Sequence, residues 1–96
     1  MDQLIHWLAQ LLGVSPRFYR LNDNEVVAAY WPGQARRWLE QTCGVEAEEC
    51  EEVSPDLEFY DGEDPRTSPV TTARADAAQR IRHGERVPFY VCAQDY

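Results

Sequence analysis

The sequence predicts an α+β fold in which three helices pack on one face of a small, mainly antiparallel sheet. Apolar residues recur at helical spacing in three segments, and β-prone runs lie between those segments. Two of the β-prone runs flank a short polar loop, which is typical of a hairpin. The expected order of elements is α-β-β-α-(β)-β-α-β, in a single domain that spans residues 1–96.

The first helix is predicted to begin at Asp2, as an N-cap, and to end at Gly13. Its apolar stripe, which we expect to face the core, consists of Leu4, Ile5, Leu8, Leu11 and Leu12. Trp7 lies beside this stripe and His6 lies off it. An amphipathic helix that binds a partner is the alternative interpretation.

A β-hairpin is predicted next, because residues 17–21 and 26–31 are β-prone and residues 22–25 form a polar loop. A helix that begins at Asn22 or Asn24 is the competing interpretation. A second helix should then run from Pro32 to Gly44. Its apolar face consists of Ala35, Trp38, Leu39, Thr42 and Cys43. Arg36 and Arg37 should face outward or close onto the acidic segment that follows.

The C-terminal half is predicted to add a strand, a helix and a final strand. Residues 56–60 alternate as a strand with Leu57 and Phe59 facing inward, and a turn follows at 61–65. The third helix is predicted to be capped by Ser68 or Thr71 and to end at His83-Gly84. Its buried apolar stripe consists of Val70, Ala73, Ala77, Ala78 and Ile81. The last strand covers residues 86–93, and Pro88 places it near a sheet edge.

An acidic segment between the second helix and this strand dominates the charge of the chain. Ten carboxylates lie within residues 46–64 without a single basic residue: Glu46, Glu48, Glu49, Glu51, Glu52, Asp56, Glu58, Asp61, Glu63 and Asp64. The other seven acids and the nine arginines alone would give a charge of +2, so these ten set the net charge of −8. We predict that they form the partner-binding surface.

The sequence does not decide whether the acidic segment is a helix or a strand. Residues 45–53 fit a helix, in which Ala47, Cys50 and Val53 share one side, or a strand whose alternation fails at Glu49. The ten charges of residues 46–64 would lie about 2.8 Å apart along a helix axis and about 6 Å apart in an extended chain. The helical spacing is close to the spacing of about 3.4 Å in one DNA strand. A solvated face without a binding role is the alternative to a nucleic-acid mimic.

Catalytic, cofactor and metal sites are not predicted. An EF-hand loop with its glycine at Gly62 would need acidic or amide ligands at Leu57 and Phe59, so that pattern fails. Cys43, Cys50 and Cys92 lack the spacing of zinc ligands, and we expect them to be reduced and mostly buried. The sequence contains no GxSxG, P-loop or GxGxxG motif.

The expected partner is a basic protein, such as a nuclease or a nucleic-acid-binding effector complex. A chain with a net charge of −8 is repelled by phosphate backbones and anionic lipids, so direct binding to nucleic acid or membrane is not expected. In size and charge the chain resembles anti-CRISPR and antirestriction proteins. That resemblance implies an inhibitor that occupies a basic groove, and it assigns no individual residue.

Two other functions remain open. The chain fits an immunity protein against a basic nuclease toxin, and it also fits a structural phage or accessory component whose strand at residues 87–93 pairs between two copies. The N-terminal apolar stretch lacks a basic n-region and is shorter than the roughly 20 residues of a membrane span. We therefore expect a cytoplasmic protein.

Overall fold

The computed structural model describes residues 2–22, 24–60, 64 and 66–93, except for the side chain of Asp2. The three helices are α1 (Asp2–Leu12), α2 (Pro32–Cys43) and α3 (Ala73–Arg82). The strands are β1 (Arg17–Leu21), β2 (Glu25–Ala29), β3 (Cys50–Val53), β4 (Glu58–Tyr60), β5 (Val70–Thr72) and β6 (Phe89–Ala93). None of the helices in this described part has the length and apolar character that a membrane span requires.

The strands form a four-stranded sheet in the order β3-β1-β2-β6 and a second sheet of β4 and β5, and all of these pairs are antiparallel. The α+β class and the order of elements are therefore confirmed, with the short strand β5 in addition. The hairpin of β1 and β2 is confirmed as well, and the competing helix at Asn22 or Asn24 is not formed. β6 lies at a sheet edge, as Pro88 indicated.

The placement of all three helices on one face of the sheet is wrong. On one face, α3 packs against the strands in a cluster of Phe18, Val26, Ala28, Ala73, Ala77, Val87, Phe89, Val91 and Cys92. On the other face, α2 packs in a cluster of Tyr19, Leu21, Val27, Ala29, Ala35, Leu39 and Ala47. The physical reason is visible in the continuous apolar run Val26–Ala29, which is typical of a strand covered on both faces.

The orientation predicted for α1 is also wrong. His6 and Ala9 are buried, whereas Leu4, Leu8 and Leu11 are exposed. Tyr30 fixes this orientation, because its hydroxyl lies 2.8 Å from Nδ1 of His6. The backbone N–H of Val87 also donates to that nitrogen, at 3.3 Å. The helix therefore packs against the rest of the protein through the side that carries His6 and Ala9. Its leucine stripe faces outward.

The ends of α2 and α3 follow from local sequence. Pro32 occupies the first turn of α2, and Gly44 ends the helix in the left-handed conformation with φ of 68°. Thr72, one residue after the predicted cap Thr71, is the N-cap of α3, and its Oγ1 accepts from the N–H of Ala75 at 3.1 Å. His83 is the C-cap of α3, as predicted.

Candidate functional site: an acidic loop held by Asn22

The acidic segment is neither a helix nor a strand between residues 45 and 49. It is an irregular loop, and the side chain of Asn22 makes three hydrogen bonds to its backbone. The Oδ1 atom of Asn22 accepts hydrogen bonds from the N–H groups of Glu48, at 2.9 Å, and Glu49, at 3.0 Å. Its Nδ2 donates to the carbonyl of Glu46 at 2.9 Å. A loop without regular structure is thereby fixed to the tip of the β1–β2 hairpin.

The backbone of Asn22 suits this role. Its φ is 49°, in the left-handed region, where asparagine is more readily accepted than other residues with a side chain. Its own N–H donates to the carbonyl of Glu49 at 3.2 Å. Asn22 was not among the site residues predicted from the sequence. Its polar hairpin loop was the available signal, but nothing in that loop indicates a contact more than twenty residues away.

Arg36 gives the loop a second anchor. One guanidinium nitrogen of Arg36 donates to the carbonyl of Ala47 at 3.2 Å, and Ala47 itself is buried against α2. The prediction that an arginine of α2 closes onto the acidic segment is thus met through a backbone carbonyl. Because Arg36 donates to a backbone carbonyl, this contact fixes the loop without pairing with the carboxylates of Glu46 and Glu48.

A depression of about 290 Å³ lies within this arrangement, lined by Asn22, Val45, Glu46, Glu48 and Glu49. The three glutamates are exposed. Within the described part of the chain, the carboxylates of Glu46 and Glu48 take part in no ion pair. A concave surface with carboxylates at its rim favours a cationic group over a neutral or anionic one.

The rest of the acidic run does not continue this surface. Glu51 and Glu52 lie in β3, whose successive side chains point to opposite faces of the sheet. Each is paired with an arginine of β1: Arg20 lies 2.6 Å from Glu51, and Arg17 lies 3.5 Å from Glu52. The predicted acidic surface is therefore divided between the two faces of β3, and its charge is partly neutralised by the two arginines.

The remaining predicted residues are spread further. Asp56 is paired with Arg74 of α3 at 3.4 Å. Glu58 lies exposed in β4. Asp64 is exposed, and its Oδ1 accepts from the N–H of Arg66 at 2.9 Å. Asp61 and Glu63 lie outside the described residues, as does most of the predicted turn at 61–65. Of the eight predicted residues that the structure describes, three line a common surface: Glu46, Glu48 and Glu49.

Among the described residues, no group of three or more histidine, cysteine or acidic side chains is placed to hold a metal ion. Burial raises the pKa of the Cys92 thiol to about 11, so this cysteine is protonated and inert at neutral pH. Cys50 is half-buried, but Cys43 is exposed, contrary to the expectation that the cysteines are mostly buried.

The comparisons with known proteins add no family or relative to this description. No protein-family model, no curated protein and no solved structure matches the chain.

Proposed function

We propose that the protein is a small binding protein that inhibits a nucleic-acid-processing protein by docking its acidic loop into a basic groove. The observation that carries this proposal is the depression of about 290 Å³ lined by three exposed glutamates around Asn22. Its size admits one arginine or lysine side chain of a partner. A bound guanidinium would pair with the carboxylates at the rim.

The net charge of −8 supports the same proposal at longer range. A negatively charged protein is attracted to a basic groove and associates with it faster at low salt. The fixed loop adds a local element to this attraction, because a preorganised site loses less conformational entropy on binding than a mobile acidic tail. An immunity protein that neutralises a basic nuclease toxin would use the same surface.

Rates of association can test the role of the loop. The purified protein would be presented to a panel of RNA-guided nucleases, restriction endonucleases and nuclease toxins, at low and high salt. For a target that binds, replacing Glu46 and Glu48 by glutamine should slow association at low salt by about 3- to 10-fold. Binding should also displace nucleic acid from the target, because both ligands would occupy its basic groove.

A matched control separates the loop from net charge. Replacing Glu58 and Glu85 by glutamine removes the same charge from exposed positions of β4 and of the segment after α3. This variant should change the association rate by less than about twofold. Equal slowing by the two double variants, or binding that is indifferent to salt, would contradict the proposal.

The structure also favours a second candidate function, that of a self-assembling component. Its supporting observation is the exposed apolar face of α1, which includes Leu11 at 68% and Leu12 at 76% exposure. Large apolar patches on a small protein commonly mark interaction sites. This face lies apart from the acidic loop, so the two candidate functions are compatible.

A further inference from the structure

The apolar side of α1 forms an exposed ridge, which consists of Leu4, Trp7, Leu8 and Leu11. These residues follow the i, i+3, i+4, i+7 spacing that places side chains on one face of a helix. Trp7 is 59% exposed and Leu4 is 58% exposed. The body of the protein therefore leaves the most apolar surface of this helix uncovered.

The ridge is held outward by specific contacts on the opposite side of α1. His6 and Ala9 are buried, and His6 bonds to Tyr30 and to the backbone of Val87. Gln10 adds a bond to the Tyr30 hydroxyl at 3.4 Å. Rotating the helix to bury its leucines would break these contacts. The exposed ridge is thus part of the folded arrangement.

A groove lies beside the C-terminal end of α1. It has a volume of about 650 Å³, and it separates the segment after α1 from α3. Phe18, Ala77, Ala78 and Ile81 contribute apolar surface to it. Val14, which is 49% exposed, borders the groove and continues the apolar surface of the helix. A convex and a concave apolar surface therefore meet at the C-terminal end of α1.

We propose that this ridge and groove form a two-fold dimer interface, in which the α1 ridge of each copy enters the groove of the other. An isologous pair uses the same patch on both copies, and a patch that contains both a ridge and its groove meets that condition. The ridge and Val14 expose on the order of 600 Å² per copy, so the pair would bury roughly 1,200 Å², the lower limit of a standard interface.

Charge favours a second copy over other occupants. Residues 3–12 contain no charged side chain, so two copies can meet there despite the net charge of −8. Arg74 lies at the groove and is already paired with Asp56. A helix that binds anionic membranes usually carries lysine or arginine on its polar side, and α1 carries neither.

The edge strand β6 is a weaker candidate for pairing between copies. A register shift interrupts its pairing with β2 between Val26 and Val27, and such bulges protect edges from further pairing. The carbonyl of Tyr90 in this strand already accepts a hydrogen bond from Arg80. The α1 interface also leaves the acidic loop open, because Asn22 and the groove lie at opposite ends of β1.

Light scattering coupled to size-exclusion chromatography, over a range of protein concentrations, tests this proposal on the full chain. The wild-type protein should shift from monomer to dimer as concentration rises. Leu11→Glu should raise the dimer dissociation constant by more than about 100-fold, because the interface would bury an unpaired charge. Leu11→Ala should raise it by about 10-fold through lost apolar area.

Gln3→Glu is the matched control, because Gln3 is an exposed polar residue of the same helix outside the ridge. It should leave the dissociation constant within about threefold of the wild-type value. Circular dichroism should show the same helix content in all variants, since Leu11 is exposed in the monomer. A wild-type protein that stays monomeric, a Leu11→Glu variant that still dimerises, or a monomer that binds lipid vesicles through α1 would each overturn the proposal.

Discussion

The Nδ1 atom of His6 lies 2.8 Å from the hydroxyl of Tyr30, and this pair connects α1 to the end of the β1–β2 hairpin. The N–H of Val87 also donates to Nδ1, so this nitrogen is the acceptor and the ring is neutral. Tyr30 then donates its hydroxyl hydrogen to His6 and accepts from Gln10. The contact that sets the orientation of α1 therefore requires an unprotonated histidine.

Acidification should weaken this contact. Burial, with a smaller effect of the nearby Arg86 charge, lowers the pKa of His6 below its ordinary value of 6.5. On acidification the unfolded chain therefore binds a proton before the folded chain does. The stability contributed by neutral His6 is complete above pH 6.5 and is lost as the pH falls from there toward the folded-state pKa. Urea unfolding between about pH 7.5 and 5.5 measures this loss.

The two histidines of the chain supply a matched pair of variants for this experiment. His6→Gln should remove the part of the pH dependence that lies just below pH 6.5. His83→Gln changes an exposed residue and should keep the wild-type profile. If the His6→Gln protein lost as much stability on acidification as the wild type, the assigned role of His6 would be incorrect.

Asn22 should stabilise the acidic loop through both its side chain and its backbone. Asn22→Ala removes the three side-chain hydrogen bonds and places alanine at a φ of 49°, which should cost about 1–3 kcal/mol. Asn22→Gly relieves the backbone strain but does not restore the lost hydrogen bonds. The stability of the glycine variant should therefore fall between those of the wild type and the alanine variant.

Hydrogen exchange gives a local measurement of the same role. The amides of Glu48 and Glu49 donate to Asn22 Oδ1, so both should exchange faster in the glycine and alanine variants. The amide of Ala75 in α3, which donates to the N-cap Thr72, serves as an internal reference. Unchanged exchange at Glu48 and Glu49 would show that another contact holds the loop.

Leucines at two positions should differ sharply in their contribution to stability. Leu39 of α2 is buried to 1% exposure, so Leu39→Ala should destabilise the fold by about 2–5 kcal/mol. Leu12 of α1 is exposed, and Leu12→Ala should cost less than about 0.5 kcal/mol at concentrations where the protein is monomeric. Comparable losses from denaturant unfolding would mean that the leucines of α1 belong to the core.

The cysteines should react in the order of their exposure. Cys43 is exposed at the end of α2, whereas Cys92 is buried and the pKa of its thiol is raised to about 11. Iodoacetamide should therefore modify Cys43 first and Cys92 last, because the thiolate is the reactive form. Peptide mass spectrometry over time measures this order. Equally fast modification of Cys92 in the native protein would contradict its burial.

Local signals in the sequence predicted the elements that are determined locally. Pro32 and Gly44 bound α2, and the polar loop between two β-prone runs marked the hairpin. These features act through residues close in the chain, so short-range patterns capture them. The α+β class follows from the same patterns.

Long-range contacts explain what the sequence did not predict. The leucines of α1 led to the prediction that their side of the helix is buried. The helix is instead oriented by the contacts of His6 with Tyr30 and Val87, which are distant in the chain. The acidic loop takes its form from the side chain of Asn22, more than twenty residues earlier. Periodicity carries no information about such partners. The arginines of β1 likewise divided an acidic run that looked continuous in sequence.

The most direct test of the acidic site is a nuclear magnetic resonance titration of the labelled protein with a short oligo-arginine peptide. The account predicts that the largest shifts occur at the side-chain amide of Asn22 and at the backbone of Glu46, Glu48 and Glu49, and that added salt reduces them. Shifts spread evenly over all the exposed acidic residues, or centred on β3 or α3, would contradict it.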